Sequence, residues 1–320
     1  MENAAPEGLV VVLGAGGGIG RALVDELLRR GLPVRAVTHS QRRLPDGVEH
    51  VVADLADRPA AREALGGAAV VYHAAAPPYA RWPEEFPALN ASIVEAATAA
   101  DARLVLADNL YMYGPTTDVR TEDTPQRATD KKGVLRGKLA AELLSAHDRG
   151  ELQVAVGRAP DYFGPGGQGS GMGELFFDAA AQDKTVRWLG DLDSPHSLAY
   201  LPDIGRAFVT LGTNDAALGR AWHLPIVGSP TGRELADATS KALGRPVKLA
   251  ATGKTVLRLV GILRPDVREA AEMLYQWEQP FLVSDDAFQQ LLGPQPSTPL
   301  AEAVAATVAW YEARQGTAAA

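Results

Sequence analysis

The 320-residue chain contains no cysteine. Without thiols there is no disulfide framework, no thiolate zinc site and no cysteine nucleophile, so burial alone has to hold the molecule together. No apolar stretch approaches the ~20 residues that cross a bilayer. Met1 is followed by Glu2 rather than by a basic segment and an apolar core, so no leader is expected and a cytoplasmic location is the default. Positive charge is scarce as well: 31 Lys and Arg stand against 39 Asp and Glu, a net charge of −8. The basic pairs Arg42 with Arg43 and Lys131 with Lys132 are too short to neutralise a run of phosphates, which excludes a nucleic-acid partner from the expectations. No metal site is expected either.

What is present is apolar sequence, 46% of the residues, enough for one large domain or two joined ones. The first 110 residues repeat one rhythm. Short β-branched runs at Leu9–Leu13, Val34–Val37, Glu49–Ala53, Val70–His73 and Leu104–Ala107 predict buried strands. Between them Arg21–Arg30, Ala60–Leu65 and Leu89–Ala100 predict helices, and a helix at Leu135–Asp148 leads to a sixth strand at Leu152–Gly157. Such alternation specifies a parallel sheet covered on both faces. After about Phe163 the pattern changes to Gly and Pro punctuation with scattered helices, such as Gly232–Leu243 and Leu300–Arg314. The tail Gln315–Ala320 is expected to fray.

The run Leu9–Leu13 enters Gly14-Ala-Gly-Gly-Gly-Ile-Gly20 and then the first helix, ended by Gly31. Glycine removes Cβ and permits positive φ, so backbone N–H groups and the helix N-terminus can approach a pyrophosphate. Gly14, Gly17 and Gly20 are spaced by three, a longer loop than G-x-G-x-x-G; Gly18 and Ile19 complete the candidate cradle. The expected fold is therefore a doubly wound Rossmann sheet over residues 1–160. A smaller α+β substrate-binding region, 161–320, would send a segment near 195–210 back to it. Where an NAD-binding chain carries a ribose-holding carboxylate at the end of the second strand, this one has Thr38, His39, Ser40, Gln41, Arg42 and Arg43. Hydroxyls, an imidazole and guanidiniums favour a 2′-phosphate, and so NADP(H) over NAD(H), with His39, Ser40 and Arg42 as contacts.

These segments resemble the extended short-chain dehydrogenase/reductase family, the epimerase and dehydratase group. Asp54 and Leu55 look like its adenine-contacting pair, and Val71–Ala76 like its fourth-strand motif, placing Ala74 and Ala75 beside the cofactor. Asn109-Leu-Tyr-Met-Tyr113-Gly114-Pro115 is similar to its Ser-x-x-x-Tyr-Gly segment. Arg158-Ala-Pro-Asp161-Tyr-Phe-Gly164 is similar to its Arg-x-x-Asn segment, and Ala199–Ala207 to its His-Val-Asp-Asp segment.

The resemblance implies a Ser or Thr, a Tyr and a Lys four residues after the Tyr, the Lys holding the nicotinamide ribose and lowering the pKa of the phenol. In the register set by Lys138 and Glu142, Val134 takes the tyrosine position and Asn109 the Ser/Thr position. Asn can still donate a hydrogen bond to a carbonyl oxygen. Valine moves no proton, so another residue supplies it, or Lys138 acts directly, or the chemistry is lost. The substitutes are Tyr111, Tyr113, Tyr162, Asp161 and His196. Pro77–Phe86 is expected to form a substrate loop including Pro78 and Trp82. Asp161, Tyr162 and His196 would add to the substrate side, with further aromatic surface from Trp188, Tyr200 and Met273–Phe281. Such a lining suits a small apolar or aromatic molecule better than a nucleotide sugar, whose diphosphate would want more cations. The leading expectation is NADP-dependent hydride transfer at a carbonyl or alcohol carbon of such a molecule. A silent NADP-binding sensor and a redox-neutral epimerase, dehydratase or cyclase are the alternatives, with a homodimer an open possibility.

Overall fold

The computed structural model describes residues 8–253 and 271–318. Its first half runs β1 (Leu9–Leu13), α1 (Gly18–Arg29), β2 (Val34–Thr38), β3 (Glu49–Val52), α2 (Arg58–Leu65) and β4 (Ala68–His73). It continues through α3 (Trp82–Ala99), β5 (Arg103–Asp108), α4 (Lys131–Asp148) and β6 (Val154–Arg158). With β10 (Ala221–His223) these strands form one seven-stranded parallel sheet in the order β10-β6-β5-β4-β1-β2-β3. The order reverses between β1 and β4, and in a doubly wound sheet the crevice at that reversal, beyond the carboxyl ends of the strands, is where ligands bind.

The strand Leu-Val-Val-Val-Leu is apolar throughout because both of its faces are covered. Val10 and Val12 face a core shared with Leu23 and Leu27 of α1 and Ile204 and Phe208 of α5 (Leu201–Thr213). Val11 and Leu13 face the other core, with Ala61 of α2, Ile93 of α3 and Leu143 of α4. Fully burying each such side chain stabilises the fold by roughly 1.5–3 kcal/mol.

The remaining chain contributes two small parallel pairs, β7 (Asp161–Phe163) with β9 (Leu198–Tyr200) and β8 (Val186–Leu189) with β11 (Leu249–Thr252). Helices α6 (Gly232–Leu243) and α7 (Leu300–Ala318) pack on each other, and Phe176, Phe177, Trp188, Leu235, Trp277 and Val304 share a third core there. Among the described residues, no helix is long and apolar enough to cross a membrane.

Several helices start earlier than their apolar period predicts. Helix α1 begins inside the glycine turn, at Gly18. Helix α4 begins at Lys131 because Asp130 caps it, its Oδ1 accepting from Gly133 N at 2.7 Å. Helix α3 begins at Trp82, with Pro83 in the first turn, where a missing N–H costs nothing. The expected substrate loop is thus helical from Trp82 to Phe86. At the other end, helix α7 continues to Ala318 where fraying was expected from Gln315, the last two residues lying outside the described ones.

Candidate active site

The turn between β1 and α1 is shaped by backbone contacts. Gly14 has φ +74°, in the left-handed region, and a Cβ there would lie 2.6 Å from the Ala74 carbonyl oxygen. A Cβ on Gly20 would lie 2.2 Å from the Gly14 oxygen. Gly17 precedes the helix with no side-chain cap, which leaves the first N–H groups of α1 open to an outside acceptor. This cradle fits the pyrophosphate of a dinucleotide.

Beyond β2, Thr38 Oγ1 donates to the Ser40 carbonyl at 2.9 Å and lies 2.7 Å from His50 Nε2. His39, Ser40 and Arg42 are exposed, and the Arg42 side chain comes back over the glycine turn, its Cγ 3.3 Å from where a Cβ on Gly16 would stand. Asp54 Oδ1 accepts from Ala56 N at 3.0 Å in an exposed turn, and Leu55 is buried in the core below.

A cleft of about 540 Å³ opens at the carboxyl ends of β1, β4 and β5. Ile19, Ala74, Ala75, Asn109, Tyr111 and Arg136 are among the residues that line it. Asn109 Oδ1 accepts from Tyr111 N at 3.1 Å, so its amide NH2 is the end left to donate. The Arg136 guanidinium is fixed by two bonds, Nε to Asp108 Oδ1 at 2.6 Å and Nη2 to the Ala107 carbonyl at 2.7 Å. Its central carbon lies 4.9 Å from the Phe86 ring centroid and 5.5 Å from that of Trp82.

Arg136 corrects the sequence reading of α4. Lys138 does not reach the cleft: its side chain is 71% exposed, with Glu142 3.8 Å away, and Val134 is 53% exposed. The cleft-side residues are Arg136, 4% exposed, and Lys132, 3% exposed, whose ammonium sits 4.2 Å from the centroid of the cleft-lining Tyr79 ring. Two residues turn a helix by roughly 200°, so a register shifted by two reverses which face is inward. Lys132 and Arg136 keep the four-residue spacing, and α4 contains no tyrosine in any register. The missed signal was the buried stripe Leu139, Leu143 and Ala146, which points Arg136 inward and Lys138 outward.

Tyr113 also falls outside the cleft, in a buried chain of hydrogen bonds. Asp108 Oδ2 accepts from Arg158 Nε at 3.2 Å, Arg158 Nη1 donates to Tyr113 Oη at 2.9 Å, and Tyr113 Oη is 2.7 Å from His223 Nε2. His223 Nδ1 faces the Ser284 carbonyl at 3.0 Å, so a neutral ring satisfies both contacts. Burial, foremost, and the Arg158 charge lower the His223 pKa to about 4. Tyr111 does line the cleft, but burial, then Tyr79 and Asp161, push its phenol well above the usual range.

Across the cleft stand Asp161 and Tyr162, with Trp188, Trp277 and Phe281 behind them. Burial and Asp161 raise the Tyr162 phenol to about 12. Trp82 lines the cleft, whereas Pro78 is exposed and its neighbour Pro77 takes the lining position. Tyr200 belongs to the third core. His196 is buried behind Asp161 rather than open to the cleft, its Nε2 2.9 Å from Asp161 Oδ2. Arg187, at the rim, was not anticipated, because nothing in its local sequence separates it from any solvated arginine.

Residues 10–224 match the NAD dependent epimerase/dehydratase family. Among curated proteins, the chain is 25% identical over 228 residues to the decarboxylating sterol-4-alpha-carboxylate 3-dehydrogenase of Mus musculus, covering 67% of this chain and 62% of that one. It is 27% identical over 255 residues to dTDP-4-dehydrorhamnose reductase of Mycolicibacterium smegmatis, covering 73% of this chain and 69% of the other. Among solved structures, a double mutant of DesIV, a dTDP-glucose 4,6-dehydratase from Streptomyces venezuelae with NAD and DAU bound, superposes with a TM-score of 0.78. That likeness, at 19% identity over 97% of this chain and 98% of that one, is one of fold.

Proposed function

Because the chain belongs to the NAD dependent epimerase/dehydratase family, we propose that it is an NADP(H)-dependent oxidoreductase acting at a carbonyl or alcohol carbon of a small aromatic or apolar molecule. The observation that carries this reading is the composition of the cleft. A backbone cradle for a dinucleotide adjoins two fixed donors, Asn109 and Arg136, which face a wall of rings.

When bound, the nicotinamide supplies or accepts the hydride. The chain's own residues hold and orient. Gly14 to Gly20 and the α1 N-terminus take the pyrophosphate. Ala74 and Ala75, beside Gly14, flank the coenzyme, and Leu55 floors the adenine end below the Asp54 turn. No carboxylate of β2 opposes a 2′-phosphate, and Ser40 and Arg42 stand where one would be bound. Asn109 donates its amide to the substrate oxygen, a donor placed in advance where negative charge grows during reduction. Arg136 shares the Asp108 carboxylate with Arg158 and is held in place by Asp108 and the Ala107 carbonyl, a geometry suited to orienting a substrate oxygen.

The rings of Trp82, Tyr111, Trp188, Trp277 and Phe281 favour a planar apolar body. Fluorescence titration with NADPH and NADH should show both bound, NADPH about tenfold more tightly, and Arg42→Ala should erase the difference. Loss of NADPH absorbance with a panel of aromatic aldehydes and ketones then tests the reaction. Binding of neither coenzyme would end this reading.

A further inference from the structure

We propose that Asp161 and His196 form the proton-transfer pair of this cleft, Asp161 as the catalytic group and His196 as its positioning residue and proton reservoir. The proposal deepens the oxidoreductase reading and rests on it for the substrate. Its starting point is a hydrogen-bond count. His196 Nδ1 is 3.1 Å from the Gln276 carbonyl oxygen and Nε2 is 2.9 Å from Asp161 Oδ2. A carbonyl and a carboxylate both accept. A neutral imidazole has one N–H, so it can serve only one of them. Both contacts coexist when the pair carries one proton more than a neutral ring and an ionised carboxylate together would hold.

The surroundings suit a pair that keeps and passes such a proton. Trp277 stacks on the imidazole at 3.8 Å between centroids and 12° between planes, and Phe281 stacks on it at 4.9 Å and 16°. His196 is 1% exposed. Asp161 is different, with its side chain 34% exposed into the cleft. Among the described residues no hydrogen bond engages its second oxygen, Oδ1, which is free to meet a substrate. The described titratable and charged groups facing the pair are Tyr111 and Tyr162, on the carboxylate side, and Arg120, 4.0 Å from the Phe281 centroid.

The other candidates are placed less well. Tyr113 is sealed between Arg158 and His223, Lys138 is in solvent, and burial raises the phenols of Tyr111 and Tyr162. In the reducing direction, the N–H bond at His196 Nε2 breaks as an O–H bond forms at Asp161, and that O–H bond breaks in turn as one forms on the substrate oxygen. The electron pair that reduces the carbon comes with the hydride of bound NADPH. The pair is left one proton short, with two acceptors facing each other, and solvent restores that proton once product leaves. In the oxidising direction the same carboxylate takes the proton from the alcohol.

The test has two readouts on the full chain. The first needs neither coenzyme nor substrate: ring-¹⁵N spectra of the histidines at about pH 7.5, a unit above the ~6.5 of a free imidazole. One histidine, assigned by its loss in His196→Gln, should carry protons on both nitrogens, and Asp161→Asn should return it to a single ring proton. A singly protonated His196 with an identical spectrum in Asp161→Asn would overturn the proposal.

The second readout is reduction of the best aromatic carbonyl of the panel. Asp161→Asn should lower kcat by about 100-fold or more while NADPH affinity stays within about twofold. His196→Gln should lower kcat about tenfold, leave KM unchanged and remove the imidazole limb from the pH profile. Asp161→Asn turning over as fast as wild type would sink the pair and leave the oxidoreductase reading standing. A doubly protonated His196 in a protein that reduces no carbonyl would uphold the pair and sink that reading.

Discussion

At Gly14 and Gly20 the turn beside the cleft is bounded by backbone so close that no Cβ fits, whereas between Trp188 and Phe281 the cleft is bounded by rings stacked around one imidazole. The first wall depends on what its residues lack, the second on what theirs carry. A third element joins them: Asp108, at the end of β5, holds Arg136 toward the cleft with one oxygen and Arg158 toward the buried chain with the other. Breaking each element in turn should separate stability from binding and binding from chemistry.

The largest loss is expected at that joint. Asp108→Ala leaves two buried guanidiniums without their counter-ion and should cost about 3–5 kcal/mol in a urea unfolding titration. On the backbone wall, Gly20→Ala puts a methyl 2.2 Å from the Gly14 oxygen. It should cost about 3 kcal/mol, the upper range for overpacking, and abolish coenzyme binding in the same fluorescence titration.

Acid should then test the histidines of the sheet. Burial lowers the pKa of His73 to about 3 and of His223 to about 4, so both stay neutral in the folded chain long after the unfolded chain has taken up their protons near 6.5. The unfolded state binds more protons in that window, so stability is full above pH 6.5 and falls as pH drops toward 4. The slope should be about 1.4 kcal/mol per pH unit for each ring, and His223→Gln should halve it. Smallest of all, Lys138→Ala should change stability by less than about 0.5 kcal/mol and leave coenzyme binding untouched, because an exposed ion pair at this spacing contributes little.

The difference between the walls also explains which of them could be read from the sequence. Strand β1 and the succession of parallel strands through β5 follow from β-branched runs separated by helical ones, since a strand buried on both faces has no polar positions to hide its period. The glycine turn was legible for the same local reason: strand, turn and helix are neighbours in the chain. The cleft-facing side of α4 was encoded in the stripe of Leu139, Leu143 and Ala146, yet a motif comparison anchored on Lys138 and Glu142 read the opposite face. Trp82 and Asp161 could be named as cleft residues from the segments that carry them. That Asp161 meets His196 could not, because 35 residues separate them and their contact depends on β7 pairing with β9.

The amino-acid order alone determined the parallel sheet, the glycine turn at its reversal point, and the absence of a tyrosine from α4, since each is a property of short segments and their own backbone. Folding in three dimensions decided that Tyr113 is shut away in a buried chain of hydrogen bonds, and that an aspartate of one strand and a histidine just ahead of another share a contact. Those outcomes follow from which faces pack together and which charges lose their water, energies that exist only once distant segments touch.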